Sequence, residues 1–183
     1  MVVLSVRDGK PPASSAVPTG AEADSSGDPG RSDDFELDDS DADPADDLAV
    51  TLTAFMPVSL FPPLVAVAID ASGYVAEVLE RRTHWGLSTL DASQAALAGR
   101  FSAAGRPSAR LLLAGEPHHR GEHTGALLLD GGGAALECAT TERRPIGDHL
   151  LLIGAVLAAS APGRQRTPLV RYDRAYRSLT PRA

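Results

Sequence analysis

The sequence predicts a mainly β protein that closes into an antiparallel barrel carrying a few short helices. Three observations lead there. Apolar residues fall into many short runs of strand length, separated by Gly, Pro, Asp and Ser. Helical periodicity shows in only two stretches, both short. The central stretch, Leu48 to Asp70, holds two strand-like runs that meet at Pro62-Pro63. Proline has no N–H to give to a ladder, so this pair marks a crossing between strands, most simply a β-hairpin with a rigid turn.

Each element follows from local pattern. Val2–Val6 is a short strand ending at the turn Asp8-Gly9. Residues 10–47 are poor in aliphatics and rich in Pro, Ser, Gly, Asp and Ala. Such a composition cannot bury enough apolar surface to offset its ordering entropy, so an acidic disordered insertion between two paired strands is expected. Its length is tolerable because loop entropy grows only logarithmically. Phe35 and Leu37 within the acid run are the sole support for a partner-binding role. Leu48–Phe55 alternates Leu48, Val50 and Leu52 with Ala49, Thr51 and Thr53, a strand with one apolar face and one face of hydroxyls. Leu64–Ile69 is continuously apolar, as in a strand buried on both faces.

Gly73 permits a turn, and Tyr74–Arg82 then reads as an amphipathic helix. Trp85, Leu87 and Leu90 form a strand. Asp91 or Ser93 caps a second helix that runs through Phe101. Ser102–Gly125 is loop-rich, with one apolar patch at Leu111–Leu113. Strands follow at Leu127–Leu129, Ala134–Thr141 and Leu150–Ala158, with turns at Asp130–Gly133 and Pro145–Asp148. The long apolar run Leu150–Ala158 is the expected centre of the sheet, and Thr167–Tyr172 and Ala175–Leu179 complete it.

With 183 residues, one domain with a substantial core is expected. The net charge of −7 is divided. Residues 1–50 carry 13 acids and 3 bases, net −10, whereas residues 51–183 carry 11 acids and 14 bases, net +3. No basic stripe is present, so a nucleic-acid partner is not indicated. No run of 18 apolar residues points to a membrane helix, and Met1–Val6 is too short for a signal-peptide core. A cytoplasmic location is the expectation. The one cysteine, Cys138, sits in an apolar strand pattern and reads as a buried, inert thiol.

Several small constellations carry chemistry. Thr51 and Thr53 share a strand face with Phe55, and Ser59 follows. From pattern alone this is a solvent-facing hydroxyl row. Asp70-Ala71-Ser72-Gly73 joins a strand to a helix, so it is either an ordinary N-cap or an anion-binding turn with Ser72 as an added donor. His149 follows Gly147-Asp148 at a strand start, where a lone histidine is usually structural. His118, His119 and His123 with Glu116 and Glu122 have the composition of a metal cluster. They lack helical order and cysteine partners, so no metal site is assigned. Gly131–Gly133 has no following helix pattern and is not a phosphate loop.

Five blocks, in order, resemble the flavin reductase-like family of FMN-binding split barrels. They are T-x-T-x-F-x-x-V-S-L-x-P-P-L-V with its following Asp-Ala-Ser, LDASQAALAGRF, ALECA, IGDHLLLIGAVLAA and PLVRYDRAYRSL, spanning about Ala49 to Leu179. The resemblance implies a split antiparallel β-barrel with short helices over residues 48–183, with residues 1–9 as its first strand. The family's N-terminal helix has no counterpart here. It further implies NAD(P)H-dependent reduction of FMN or a related flavin, in a homodimer that supplies reduced flavin to a monooxygenase partner. Residue by residue it places Thr51, Leu52, Thr53, Val58 and Ser59 on the flavin, Asp70, Ala71 and Ser72 at its phosphate, and Phe101 and Ser102 beside it. Core packing of Phe101 is the equal alternative. His149 is placed near flavin and nicotinamide as the redox-site residue. This chain departs from the family at Thr53-Ala54, at Pro57 and at Ala71, where a basic residue is common; Arg100 or Arg106 could supply that charge. These departures leave a second reading open, a non-catalytic flavin-binding module, and the acidic arm leaves a third, an interaction protein.

Overall fold

A computed structural model describes residues 1–8, 47–161 and 166–179. The expected acidic insertion, apart from Asp47, lies outside the described residues. Seven strands form one antiparallel sheet: β1 (Val2–Arg7), β2 (Asp47–Leu52), β3 (Phe55–Leu60), β4 (Pro63–Asp70), β5 (His84–Thr89), β8 (Ala135–Ile146) and β9 (His149–Ser160), in the order β2-β1-β5-β8-β9-β4-β3. Two small hairpins, β6 (His118–Arg120) with β7 (Leu127–Leu129) and β10 (Leu169–Tyr172) with β11 (Ala175–Ser178), lie outside it. The helices are α1 (Tyr74–Arg81), α2 (Ala95–Ser102) and the single turn α3 (Ala109–Leu112).

The two edge strands, β2 and β3, are consecutive in the chain through Thr53-Ala54, and β2 lies against β4, so the sheet curls. Side chains from β1, β2, β4, β5, β8 and β9 therefore meet in one core with α1. Trp85 fills its middle, fully buried, with its indole N–H donated to Thr140 Oγ1 at 2.9 Å. Gly154 makes room for that ring, since a Cβ there would lie 2.5 Å from the indole. A second core packs α2 and α3 against the outside of β1 and β2, around Val3, Ala49, Leu97, Phe101 and Leu113. The split barrel is thus a curled sheet with α1 plugging the inside and α2 covering one outer face.

Sequence and structure agree on the pairing of β1 with β2, on the hairpin around Pro62, on both main helices and on β4, whose Val65, Ala66 and Val67 are all buried. Five details differ. The runs Thr167–Tyr172 and Ala175–Leu179 do not complete the sheet, because β10 and β11 pair with each other as a separate hairpin. The run Leu48–Phe55 is not one strand: β2 ends at Leu52, the chain bends at Thr53, and Phe55 opens β3. Asp47 belongs to β2 rather than to the acidic segment, because its buried carboxylate receives both Nη atoms of Arg120 at 2.9 and 2.8 Å. Ser102–Gly125 contains α3 and β6, elements too short to show a period. The middle of the sheet is β8, with β9 beside it. Pro57 is accommodated because β3 is an edge strand with a register shift between Pro57 and Ser59.

Candidate active site

Where β2, β4 and β9 end together, the barrel opens into a cleft of about 360 Å³. The register explains why distant residues gather there. Asp70, last in β4, lies opposite His149, first in β9. Gly147, at φ 61°, makes the tight turn that lets β9 start at that level. The Ala71 N–H donates to the Asp148 carbonyl at 2.9 Å, tying the two turns into one rim. From the far side come Thr51, Leu52, Thr53 and Ala54, Ser102 from the end of α2, and Arg106 from the loop beyond it.

Of the residues singled out in the sequence, the cleft assembles Thr51, Leu52, Thr53, Asp70, Ser102 and His149. Thr53 and Ser102 are exposed in it. Thr51 is half-buried, and its hydroxyl is already donated to the Ala98 carbonyl at 2.9 Å, so it offers a ligand only an acceptor. His149 is half-exposed, with Nδ1 2.7 Å from Asp148 Oδ1. That contact holds the Asp148 carboxyl below the usual carboxylate range. It also fixes the ring so that Nε2 is the nitrogen left for a ligand.

The turn after β4 differs from the expected anion cradle. Ser72 N–H and Ser72 Oγ both donate to Asp70 Oδ1, at 2.9 and 2.6 Å, and Gly73 N–H goes to the Asp70 carbonyl. With the Ala71 N–H on Asp148, all three amides of the turn are spent. The Ser72 bonds hold the Asp70 carboxyl below its ordinary range, so the turn presents a negative charge rather than a set of donors. Ala71 and Ser72 are not among the residues that line the cleft. Phe101 is fully buried in the second core, in the packing role that was its alternative reading. Val58 and Ser59 sit on β3, away from the cleft, with Val58 exposed.

Sequence reasoning missed the apolar lining, Val50, Ala68, Ile69 and Val75, which carries no motif beyond the strand and helix patterns themselves. Cys138 is buried as expected, with its thiol pushed up to about 12 by desolvation. Among the described residues no three His, Cys, Asp or Glu side chains group as metal ligands, and no helix is long and apolar enough to cross a membrane.

The cleft combines apolar lining residues with hydroxyls and an imidazole, the composition of a small-molecule site. Comparison with known proteins points the same way. The model of the flavin reductase like domain matches residues 38–180. The reductase component of 4-hydroxyphenylacetate 3-monooxygenase from Thermus thermophilus is 36% identical over 130 residues, 71% of this chain and 78% of the relative. The NADH-dependent FMN reductase AsuE2 of Streptomyces nodosus subsp. asukaensis is 32% identical over 72% of this chain and 70% of that protein. Among solved structures, BorF, the flavin reductase component of a bacterial two-component tryptophan halogenase, superposes with a TM-score of 0.72 at 25% identity, covering 99% of this chain and 90% of BorF. The chain belongs to the flavin reductase-like family.

Proposed function

We infer that the protein is an NAD(P)H-dependent flavin reductase that binds FMN in the cleft between β2, β4 and β9. The observation that carries this is the convergence of Thr53, Asp70, Ser102 and His149, from four separate chain segments, on one cleft of about 360 Å³ in a chain of this family. A bound flavin would supply the hydride acceptor, chemistry that no side chain here provides. The chain's own residues position. Leu52, Ala68 and Ile69 offer an apolar wall to a ring, Thr53 and Ser102 offer hydroxyls to its polar edge, and His149 presents Nε2 at the mouth where a nicotinamide enters. Hydride transfer needs contact distance and alignment more than acid–base help, so the task of His149 is orientation. Incubating the purified protein with FMN and NADH or NADPH without oxygen tests this: bleaching of flavin absorbance at a protein-dependent rate is expected, and no rate above the protein-free control would refute it.

The same reading extends to assembly and partners. β3 ends the sheet and exposes Met56, Val58, Leu60 and Phe61, the last 94% accessible. An edge strand with an apolar face suits a second copy of the chain, and we propose a homodimer through it. Val58 and Ser59 then lie at the subunit junction. Relatives named as the reductase components of 4-hydroxyphenylacetate 3-monooxygenase and of a resorcinol hydroxylase support a flavin-dependent monooxygenase as the consumer of reduced flavin, and the cytoplasm is the location we propose for both. In this reading the body carries the activity, and the acidic segment has no part in it.

A further inference from the structure

The β8–β9 hairpin has a second end, away from Gly147, and that end is hollow. Ala135 and Glu137 share one face of β8, and their partners across the ladder are Ser160 and Ala158 on β9. Where the β6–β7 hairpin and its loop meet this face, two adjoining grooves form, of about 180 and 240 Å³. His119, Ala135 and Ser160 border both. Leu128 and Ala158 give the smaller groove apolar surface. Ala158 keeps the space open, because its methyl stands opposite Glu137, where a longer side chain would cover the carboxylate.

Glu137 is only 6% exposed, and its two oxygens are used differently. Oε2 accepts from His123 N–H, Thr124 N–H and Thr124 Oγ1. Gly121 closes over that oxygen, since a Cβ there would lie 2.3 Å from it. Oε1 accepts from no donor among the described residues, yet it is not sealed off, so it is the atom Glu137 turns to the groove. An anionic oxygen in so buried a residue costs free energy until a donor meets it. The charges around it are mostly of one sign. Glu122, Asp130 and Glu137 line the two grooves. The one guanidinium among the lining residues, that of Arg120, is spent on both carboxylate oxygens of Asp47 and on the Gly125 carbonyl.

We propose that this end of the hairpin is a binding site for a small aliphatic ammonium ion, whose head donates to Glu137 Oε1 and whose stem lies along Leu128 and Ala158. An ammonium is a positive charge with donors only, the complement of a carboxylate oxygen that lacks one. A guanidinium needs both carboxylate oxygens for its fork, and Oε2 is taken. A metal ion held by the protein needs further ligands, and among the described residues no three His, Cys, Asp or Glu side chains group to hold one. At about 180 Å³ the groove is smaller than a site for a drug-sized molecule, so the ligand is a short one. The site is separate from the cleft at His149 and does not depend on the flavin reading.

The test titrates n-butylammonium chloride and its neutral counterpart n-butanol into the full-length protein by calorimetry, with the melting temperature of each variant recorded. Wild type should bind butylammonium saturably, with a Kd of about 1 mM or tighter, within reach of a ligand of about five non-hydrogen atoms. Butanol should not saturate. Glu137→Gln leaves an amide oxygen for the 123–124 turn and puts an NH2 where Oε1 was, so butylammonium should bind at least about tenfold more weakly, the loss of one charge-assisted contact. Ala158→Leu keeps the carboxylate and fills the space over it, and should weaken binding as much at an unchanged melting temperature. If Glu137→Gln does not fold, Ala158→Leu carries the test. Asp130→Asn should stay within about twofold of wild type. Absence of saturable binding in wild type would overturn the proposal. So would butanol binding as tightly as butylammonium, wild-type affinity in Ala158→Leu or in folded Glu137→Gln, or a loss confined to Asp130→Asn.

Discussion

The hairpin β8–β9 has histidines and carboxylates at or beside both of its ends, and the two ends differ in where the carboxylates sit. Near Ala135 and Ser160, Glu137 is buried, and its Oε2 accepts from His123 N–H, Thr124 N–H and Thr124 Oγ1 at 2.8 to 2.9 Å. His119 beside it pairs with Asp130 at 2.7 Å. At the Gly147 end, Asp70, Asp148 and His149 are exposed around a cleft, and the His149 ring has one nitrogen to spare. Residue type is the same at both ends, and His119 is as exposed as His149; what differs is the carboxylate, buried in Glu137 and exposed in Asp70 and Asp148, and the cleft that only the Gly147 end borders with the β2 hydroxyls. A buried carboxylate with one oxygen accepting three bonds from the chain is part of the fold, and an imidazole with an open nitrogen at the mouth of this cleft is available for a ligand.

That contrast can be broken first at the buried end. Glu137→Ala strands two amides and a hydroxyl in a buried turn and should cost about 3 kcal/mol or more, read as a large drop in melting temperature. A shift of only a degree or two would mean that water replaces the carboxylate and that this end is not structural in the sense argued.

At the open end the expected loss is in rate. His149→Ala should slow flavin reduction by NAD(P)H about tenfold, equivalent to about 1.4 kcal/mol, and leave the melting temperature unchanged. Reduction of the bound flavin by dithionite should proceed as in wild type, because it needs no nicotinamide site. Early melting with a normal single-turnover rate would return His149 to the structural reading.

Within the cleft the threonines sharpen the distinction on a finer scale. Thr51→Val deletes a hydroxyl spent on Ala98 and should lower stability by roughly 0.5–1.5 kcal/mol. Thr53→Val deletes an exposed hydroxyl and should lower FMN affinity by a similar amount with stability intact. Calorimetry and FMN titration on both variants check this, and a reversed pattern would exchange their roles.

The smallest effect concerns the arm. Arg7 and Asp47 lie opposite one another in the β1–β2 ladder. Replacing residues 9–46 by a short turn should therefore leave the melting temperature within a few degrees of wild type. Loss of folding in that variant would show that the segment is needed by the body.

Much of this organisation is legible in the chain itself. Alternation in Leu48–Leu52, the continuous run in β4 and the Pro62 corner are local signals, and they mark strands that the sheet uses. The Gly147-Asp148-His149 motif and the hydroxyls of β2 point to the end of the barrel where the cleft lies. What stays hidden is where polar groups spend their bonds. Asp47 looks like one more acid in an acidic run until Arg120, 73 residues away, is seen against it. Ser72 looks like a free donor, yet it donates to the Asp70 carboxylate two residues back. Thr51 and Thr53 are alike in sequence, but only Thr51 reaches α2. Such facts depend on tertiary neighbours, which spacing does not encode.

The central claim is that flavin occupies the cleft between β2, β4 and β9, and blocking that cleft tests it most directly. Ser102 is exposed on the cleft wall at the end of α2, so Ser102→Trp fills the space without disturbing either core. The measurement is an FMN titration of wild type and Ser102→Trp, with the melting temperature of each recorded alongside. Saturable binding by wild type, at least a tenfold loss in the variant and equal melting temperatures are expected. FMN binding by Ser102→Trp at wild-type affinity would place the flavin elsewhere and contradict the account.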